Sequence, residues 1–397
     1  MGRRNGEEKR GNKGSEMNSN EALIQNFIDK VKSSQEADRR GKKKRYLGWC
    51  NTYVPEEIII AAGFIPYRVM GAPMPLSLSK TYLSGNLCGN IQSLLECALR
   101  GDYKFLDGMV IVASTDATKR LYDAWVRYAK TPYNHLFDIP KFIYDGAFVH
   151  YRESLMLLRE DLEKHFKIKI SDASIKKAIS ICNKTRSLLT KLNNLRKEKT
   201  PPISSTKMLE ICKLAMIGNK EYFNNELESL LGKLKVENDG TAYRILLTGS
   251  FQDDPWLLQA IEENNALVVC EDLCTRHRYF TGLADENIEP FEAITKRYIE
   301  EKPPSATLVS LDKRASQLLK LVDEFEIDAI IYHILKFDDP YLFEFPEIKP
   351  VLESKRIPVL RIESEYSTSA VGQISTRVQA FMETLRFAKN RKVKVNG

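Results

Sequence analysis

Apolar positions along this chain recur with two distinct periods. Short runs dominated by Val, Ile, Leu and aromatic residues occur in the first part at PYRVMG (66–71), GMVIVAS (108–114) and KFIYDG (141–146). They occur again at YRILLTGS (243–250), ALVVCED (266–272), AIIYHIL (329–335) and PVLRIES (358–364). Near-continuous apolar runs of this length predict strands buried on both faces, and the longer amphipathic segments between them predict covering helices. Residues 151–235 carry apolar positions at helical spacing instead. SDAS supplies a helix start in that stretch and PPISS (201–205) interrupts it. The pattern therefore predicts an α/β protein: two Rossmann- or flavodoxin-like parallel-sheet domains, residues 46–150 and 236–397, joined by a helical segment at 151–235. At 397 residues the chain exceeds what one hydrophobic core usually serves, which agrees with that division.

A short echo links the halves. FLDGMVIVASTDAT (105–118) and EIDAIIYHILKFDDPY (326–341) each read as acid, strand, acidic turn. In open parallel sheets ligands gather at the carboxyl ends of strands, so the echo places two equivalent strand ends across an interdomain cleft.

Composition adds three constraints. The formal charge of +7 is concentrated at the start, where residues 1–45 hold 13 Lys/Arg against 7 Asp/Glu. This head is read as a basic arm with residues 1–18 disordered. Its tract RRGKKKR (39–45) is either solvated or available to phosphate groups, but no interleaved aromatics of an RNA-binding module accompany it, and nucleic acid is not expected as a partner. No apolar run is long enough for a spanning helix and no signal peptide is legible, so a cytoplasmic protein without membrane contact is expected. The seven cysteines (50, 88, 97, 182, 212, 270, 274) form no CxxC pair and are expected as free thiols or metal ligands, with Cys182 and Cys212 in the core. GxGxxG, GK[ST], HExxH and GxSxG are absent.

Several ordered segments carry a resemblance. GWCNTYVPEEIIIAAGFIPYRVMG (48–71), NLCGNIQSLLECAL, LDGMVIVASTDATKRLYDAW, ICNKTRSLLTKL with Asn183 and Arg186, RILLTGS, EDLCTRHRYF, ITKRYIE, KFDDPYLFEFP and IPVLRIESEYSTSAVGQISTRVQAF together resemble the 2-hydroxyacyl-CoA dehydratase and benzoyl-CoA reductase family. The resemblance implies an acyl-CoA substrate, a homologous second subunit and an ATP-dependent iron–sulfur activator that injects an electron to form a ketyl radical. It also implies a 4Fe-4S cluster held by three cysteine thiolates, soft anionic donors suited to iron, with one iron left open. Cys88 matches the first ligand position. Thr115 occupies the second and Asp338 the third, and Ser305 stands where the family tends to have a further cysteine. With two of three thiolates replaced, the chain reads as a divergent subunit whose cluster-bearing work falls to a partner, or as a non-catalytic structural or substrate-binding paralogue.

Within that frame Ser84, with Asn86 and Asn90, is expected to hydrogen-bond a thioester or a cluster sulfur beside Cys88. Glu56 is an acid/base candidate, although VPEE is also a good helix start. Arg276, Arg278 and Lys336 are candidates for the CoA phosphates, with a salt-bridged loop as the competing reading, and His277 is a candidate proton shuttle. Ser367, Thr368 and Ser369 offer hydroxyl and N–H groups to an anion. Gln373, Thr376 and Arg377 are expected to brace the cleft.

Overall fold

In the computed structural model the protein is described over residues 19–41, 43–236, 240–308, 310–367 and 371–396. The first half runs α1 (Ser19–Arg40), β1 (Tyr46–Cys50), α2 (Glu56–Ala61), β2 (Ile65–Arg68), α3 (Gly89–Arg100), β3 (Gly108–Val112), α4 (Asp116–Ala124) and β4 (Tyr133–Phe137). Four helices follow: α5 (Ala147–Phe166), α6 (Asp172–Asn194), α7 (Ser205–Ala215) and α8 (Lys220–Leu231). The second half runs β5 (Tyr243–Gly249), α9 (Trp256–Glu262), β6 (Ala266–Asp272), α10 (His277–Phe280), α11 (Pro290–Lys296), α12 (Leu311–Glu324), β7 (Ala329–Leu335), α13 (Asp339–Ser354), β8 (Val359–Ser364) and α14 (Val371–Asn396).

Both sheets are parallel throughout and share one topology, β2-β1-β3-β4 and β6-β5-β7-β8. The expected pair of parallel-sheet domains is therefore present. The echo between the halves is also structural. Asp107 precedes β3 and accepts from the backbone N–H of Tyr46 at 2.7 Å. Asp328 precedes β7 and accepts from that of Arg244 at 2.8 Å. Each acid pins the start of the central strand to its neighbour in the same way.

Two strand assignments change. KFIYDG is a loop leading into α5, and the edge strand is YNHLF at 133–137. Its Asn and His gave it a turn-like composition, which an edge position tolerates because one side of the ladder is unpaired. YLGWC, hidden inside the opening signature, is a wholly buried central strand.

Part of the presumed basic arm is ordered. α1 buries Ile24, Phe27, Ile28 and Val31, a stripe at 3-4-7 spacing, against α7 and α8. The tract after it is pinned too: Arg39 donates to the Tyr67 hydroxyl at 3.2 Å, Lys44 pairs with Asp38 at 2.5 Å, and Arg45 lies 4.3 Å and 4.6 Å from the Phe64 and Phe166 ring centres. These three cations are each engaged with a side chain of the first half. Residues 1–18 and Lys42 lie outside the described residues.

The largest core joins the sheet face of β1, β3 and β4 to α1, α2 and the middle helices, and it includes Cys212; Cys182 is buried beside it on α6. The opposite sheet face packs on α3 and α4, and here Leu335 and Tyr366 cross over from the second half. The second sheet is covered by α9 and α14 on one face and by α12 and α13 on the other. Gly249 has φ +119°, and a Cβ there would lie 1.9 Å from the His333 carbonyl oxygen. Only glycine lets β5 end against β7 so closely.

Candidate functional site

The carboxyl ends of both sheets open into one cavity of about 1030 Å³. Its walls come from residues at or just past the strand ends: Cys50 at the end of β1 with Asn51 and Thr52 after it, Ser114 and Thr115 after β3, Lys141 after β4, Cys274 after β6 and Asp338 after β7. Cys88 and Asn90, at the start of α3, complete the floor. The three positions 88, 115 and 338, far apart in sequence, thus line a single space.

The local chemistry of the three differs. Thr115 is the N-cap of α4. Its hydroxyl accepts from the Thr118 N–H at 3.2 Å while the Thr118 hydroxyl accepts from the Thr115 N–H at 3.0 Å. Asn51, held at φ 77°, donates to the Ser114 hydroxyl at 2.8 Å and ties the ends of β1 and β3 together. Cys88 precedes α3; burial, then the nearby charge of Asp338, pushes its thiol well above the ordinary cysteine range. Asp338 follows Phe337, which is held at φ 65°, and its carboxyl makes no cap to α13. Burial raises that carboxyl to about 6 despite a hydrogen bond with Ser250.

Behind Asp338 stands a buried charged wall. Asp272 accepts from Arg314 at 2.6 Å and from the Thr248 hydroxyl at 2.9 Å. Arg314 also grips Glu344 at 2.8 Å and 3.3 Å, and Tyr332 donates to the same carboxylate. Arg278 donates to the Tyr341 hydroxyl at 2.7 Å and to the carbonyls of Gly249 and Asp272 at 3.0 Å and 2.7 Å. Across the cavity Arg68 donates to the Cys274 carbonyl at 2.9 Å and to its sulfur at 3.2 Å. Two buried atoms on the cavity lining have no partner among the described residues, Thr52 Oγ1 and Asn90 Oδ1. Buried polar groups are rarely left so, and an orphan pair in a cavity wall is ready to receive a ligand's polar atoms.

Of the residues singled out from sequence, Ser84, Asn86, Cys88, Asn90, Thr115, Ser305 and Asp338 line the cavity, whereas Glu56, Arg276, His277, Arg278, Lys336 and Ser367 do not. Glu56 is buried in an ion pair with Lys220 at 2.9 Å and accepts from the Tyr279 hydroxyl at 2.9 Å, so it braces α2. Arg276 and Arg278 are fully buried and hold protein carbonyls, which leaves no guanidinium for a phosphate. Their position after a strand was correctly read, but the chain turns them inward. His277 touches Gln317, and burial lowers it to about 4, away from the range of a neutral-pH shuttle. Lys336 is exposed and pairs with Glu365 at 3.4 Å. Ser367 lies beyond β8, away from the lining; Thr368 and Ser369 are outside the described residues. Arg377 donates to the Arg361 carbonyl and braces β8 instead of the cleft. Arg68, Lys141, Cys274, Arg314 and Glu344 were missed, and only a strand-end position could have flagged Arg68, Lys141 and Cys274.

The cluster implied by the resemblance does not fit this donor set. Cys88 is the one thiol of the three positions, its environment disfavours the thiolate, and the Thr115 hydroxyl is committed to a helix cap. Asp338 is a hard donor where iron–sulfur chemistry needs soft ones. Among the described residues no group of three His, Cys, Asp or Glu is placed to hold a metal ion.

Two tandem parallel-sheet halves meeting over a shared strand-end cavity define the class of protein. The family model described as 2-hydroxyglutaryl-CoA dehydratase, D-component, matches residues 51–385, and the chain belongs to this family. It is 27% identical over 382 residues to the (R)-phenyllactyl-CoA dehydratase beta subunit of Clostridium sporogenes, covering 93% of this chain and 100% of that one. It is 24% identical to the (R)-2-hydroxyglutaryl-CoA dehydratase subunit beta of Acidaminococcus fermentans, with 92% and 99% covered. One benzoyl-CoA reductase subunit of Thauera aromatica is 24% identical, with 86% and 91% covered.

Proposed function

We propose that this chain is a subunit of an acyl-CoA dehydratase or reductase complex in the cytoplasm, and that it shapes a thioester-binding cavity without carrying an iron–sulfur cluster of its own. A homologous partner subunit would hold the cluster, and an ATP-dependent iron–sulfur activator would supply the electron for ketyl-radical chemistry. The observation that carries this reading is the convergence of Cys88, Thr115 and Asp338 on one cavity, to which these three positions bring one thiol held protonated by burial, one capped hydroxyl and one buried carboxyl. Family membership and the names of the relatives, which act on CoA thioesters, support the substrate class.

The residues present do ordinary polar work. Thr52, Asn90 and the Cys88 thiol can hydrogen-bond a thioester carbonyl or an acyl hydroxyl. Asp338, protonated below about pH 6, can donate a proton there and above it can accept one. The charged wall holds Asp338 and α13 in register.

Anaerobic purification of the chain alone and with co-expressed homologous subunits tests this. The isolated chain should contain no stoichiometric iron or acid-labile sulfide, while the complex contains both and converts an acyl-CoA. Stoichiometric cluster in the isolated chain, abolished by Cys88→Ala, would overturn the cluster-free role. A complete complex inert toward acyl-CoA esters would overturn the enzymatic one.

A further inference from the structure

The mouth of the cavity carries a feature that the floor does not explain. Tyr82 and Tyr128 stand there stacked face to face, ring centres 3.9 Å apart at 27°, and Tyr82 is 42% exposed. Tyr128 is aimed by a π-helical turn, Trp125–Ala129, that prolongs α4 and ends at Lys130 in the left-handed region (φ 55°). Such turns redirect the side chains they carry and recur at functional sites. The turn is anchored by buried Trp125, whose ring N–H donates to the Thr131 hydroxyl at 2.9 Å.

Cations flank the rings. The Arg127 guanidinium lies 5.6 Å from the Tyr128 ring centre and makes no ion pair among the described residues. Arg120, one turn or more upstream on α4, is mostly exposed and holds Asp116 at 3.4 Å and Asp123 at 3.2 Å. Both guanidiniums line the cavity. Exposed pairs like those of Arg120 contribute little and are readily exchanged for a stronger anion. The same two segments reach the floor: Tyr82 lies six residues before Cys88, and Tyr128 follows the helix that Thr115 caps.

We infer that this lip is the docking point for the nucleotide end of a CoA thioester, with the purine stacked on the Tyr82–Tyr128 pair and the phosphates held by Arg127 and Arg120. The acyl arm then runs inward to the unpartnered Thr52 and Asn90. A purine offers the π face the tyrosines suit, and a guanidinium matches a phosphate with paired donors. The buried Arg276 and Arg278 cannot take that part. The inference rests on the acyl-CoA reading above and assigns which end of the ligand lies where.

Calorimetric titration of the full chain with 3′-phosphoadenosine 5′-diphosphate, which carries the ring and phosphates without the acyl arm, and separately with CoA, tests it. The fragment should bind the unmodified chain. Tyr128→Ala should weaken it about tenfold, the scale of one base stacked on one aromatic ring, whereas Tyr128→Phe should hold within about twofold. Arg127→Gln should weaken binding and flatten its salt dependence. Circular dichroism melts confirm that each variant folds. CoA binding that is indifferent to Tyr82→Ala, Tyr128→Ala and Arg127→Gln would overturn the lip and leave the acyl-CoA reading standing. An unmodified chain that binds neither the fragment nor CoA would overturn both.

Discussion

The two halves share a strand order and an acid that pins the central strand, yet the strand ends they bring to the cavity are chemically opposite. The central strands of the first half end in neutral groups, Asn51, Ser114 and Thr115, tied by hydrogen bonds and a helix cap, and its strand-end charges, Arg68 and Lys141, come only from the edge strands. The second ends in Asp338 backed by Asp272, Arg278, Arg314 and Glu344, almost all of them inaccessible. One topology therefore tolerates two electrostatic solutions at the same place. In the neutral half the Thr115 and Thr118 hydroxyls are satisfied three residues apart, within one helix cap. In the charged half satisfaction depends on four separate elements meeting, so that half should be the more sensitive to substitution and to pH.

The largest effect should come from the charged wall. Burial pushes Asp272 up, but Arg314 and Arg278 outweigh it and hold the carboxyl below the usual carboxylate range. Asp272→Asn leaves two buried guanidiniums under-neutralised and should cost about 3–5 kcal/mol in urea unfolding at pH 7. Because its folded pKa is depressed, the contribution of Asp272 is present above about pH 4 and fades as the pH falls below that. A loss under about 1 kcal/mol would erase the contrast between the halves.

Asp338 should behave in the opposite sense. Its carboxyl is raised from 3.8 to about 6, so ionising it costs more in the folded protein than in the unfolded chain. The stability it allows is whole below about pH 4 and is lost as the pH rises to about 6. Asp338→Asn should therefore stabilise the protein by up to about 3 kcal/mol above about pH 6 and change nothing near about pH 3, seen in thermal melts across that range. Equal gains at both pH values would mean the carboxyl is not held protonated by burial.

In the neutral half, Thr115→Ala removes one helix cap and should cost about 1 kcal/mol with no pH dependence. The smallest effects sharpen the symmetry itself. Asp107→Ala and Asp328→Ala each remove one hydrogen bond to a central-strand N–H and should cost about 1 kcal/mol apiece. A large difference between them would show that the two pins are not equivalent.

Much of this was legible in the chain because it depends on local pattern. The four second-half strands, the helical middle and the paired acid-strand-turn segments follow from apolar spacing, and the strand-end rule put Thr115 and Asp338 in one place, while Cys88 was joined to them only by the family resemblance. The edge strand at 133–137 escaped because its polar residues are permitted there only by its place at the sheet margin. α1 was hidden within a basic, polar head, although Ile24, Phe27, Ile28 and Val31 have helical spacing.

What the sequence determined by itself was the periodicity that builds two parallel sheets and the identity of the side chains delivered at their ends. Only the tertiary structure decided which way those side chains face. Arg276 and Arg278 sit past a strand end like Thr115 and Asp338, but a short helix turns them into the interior to hold carbonyls. Direction at a strand end depends on the turn that follows and on which partner waits there. Those partners lie tens to hundreds of residues away, where no local spacing can record them.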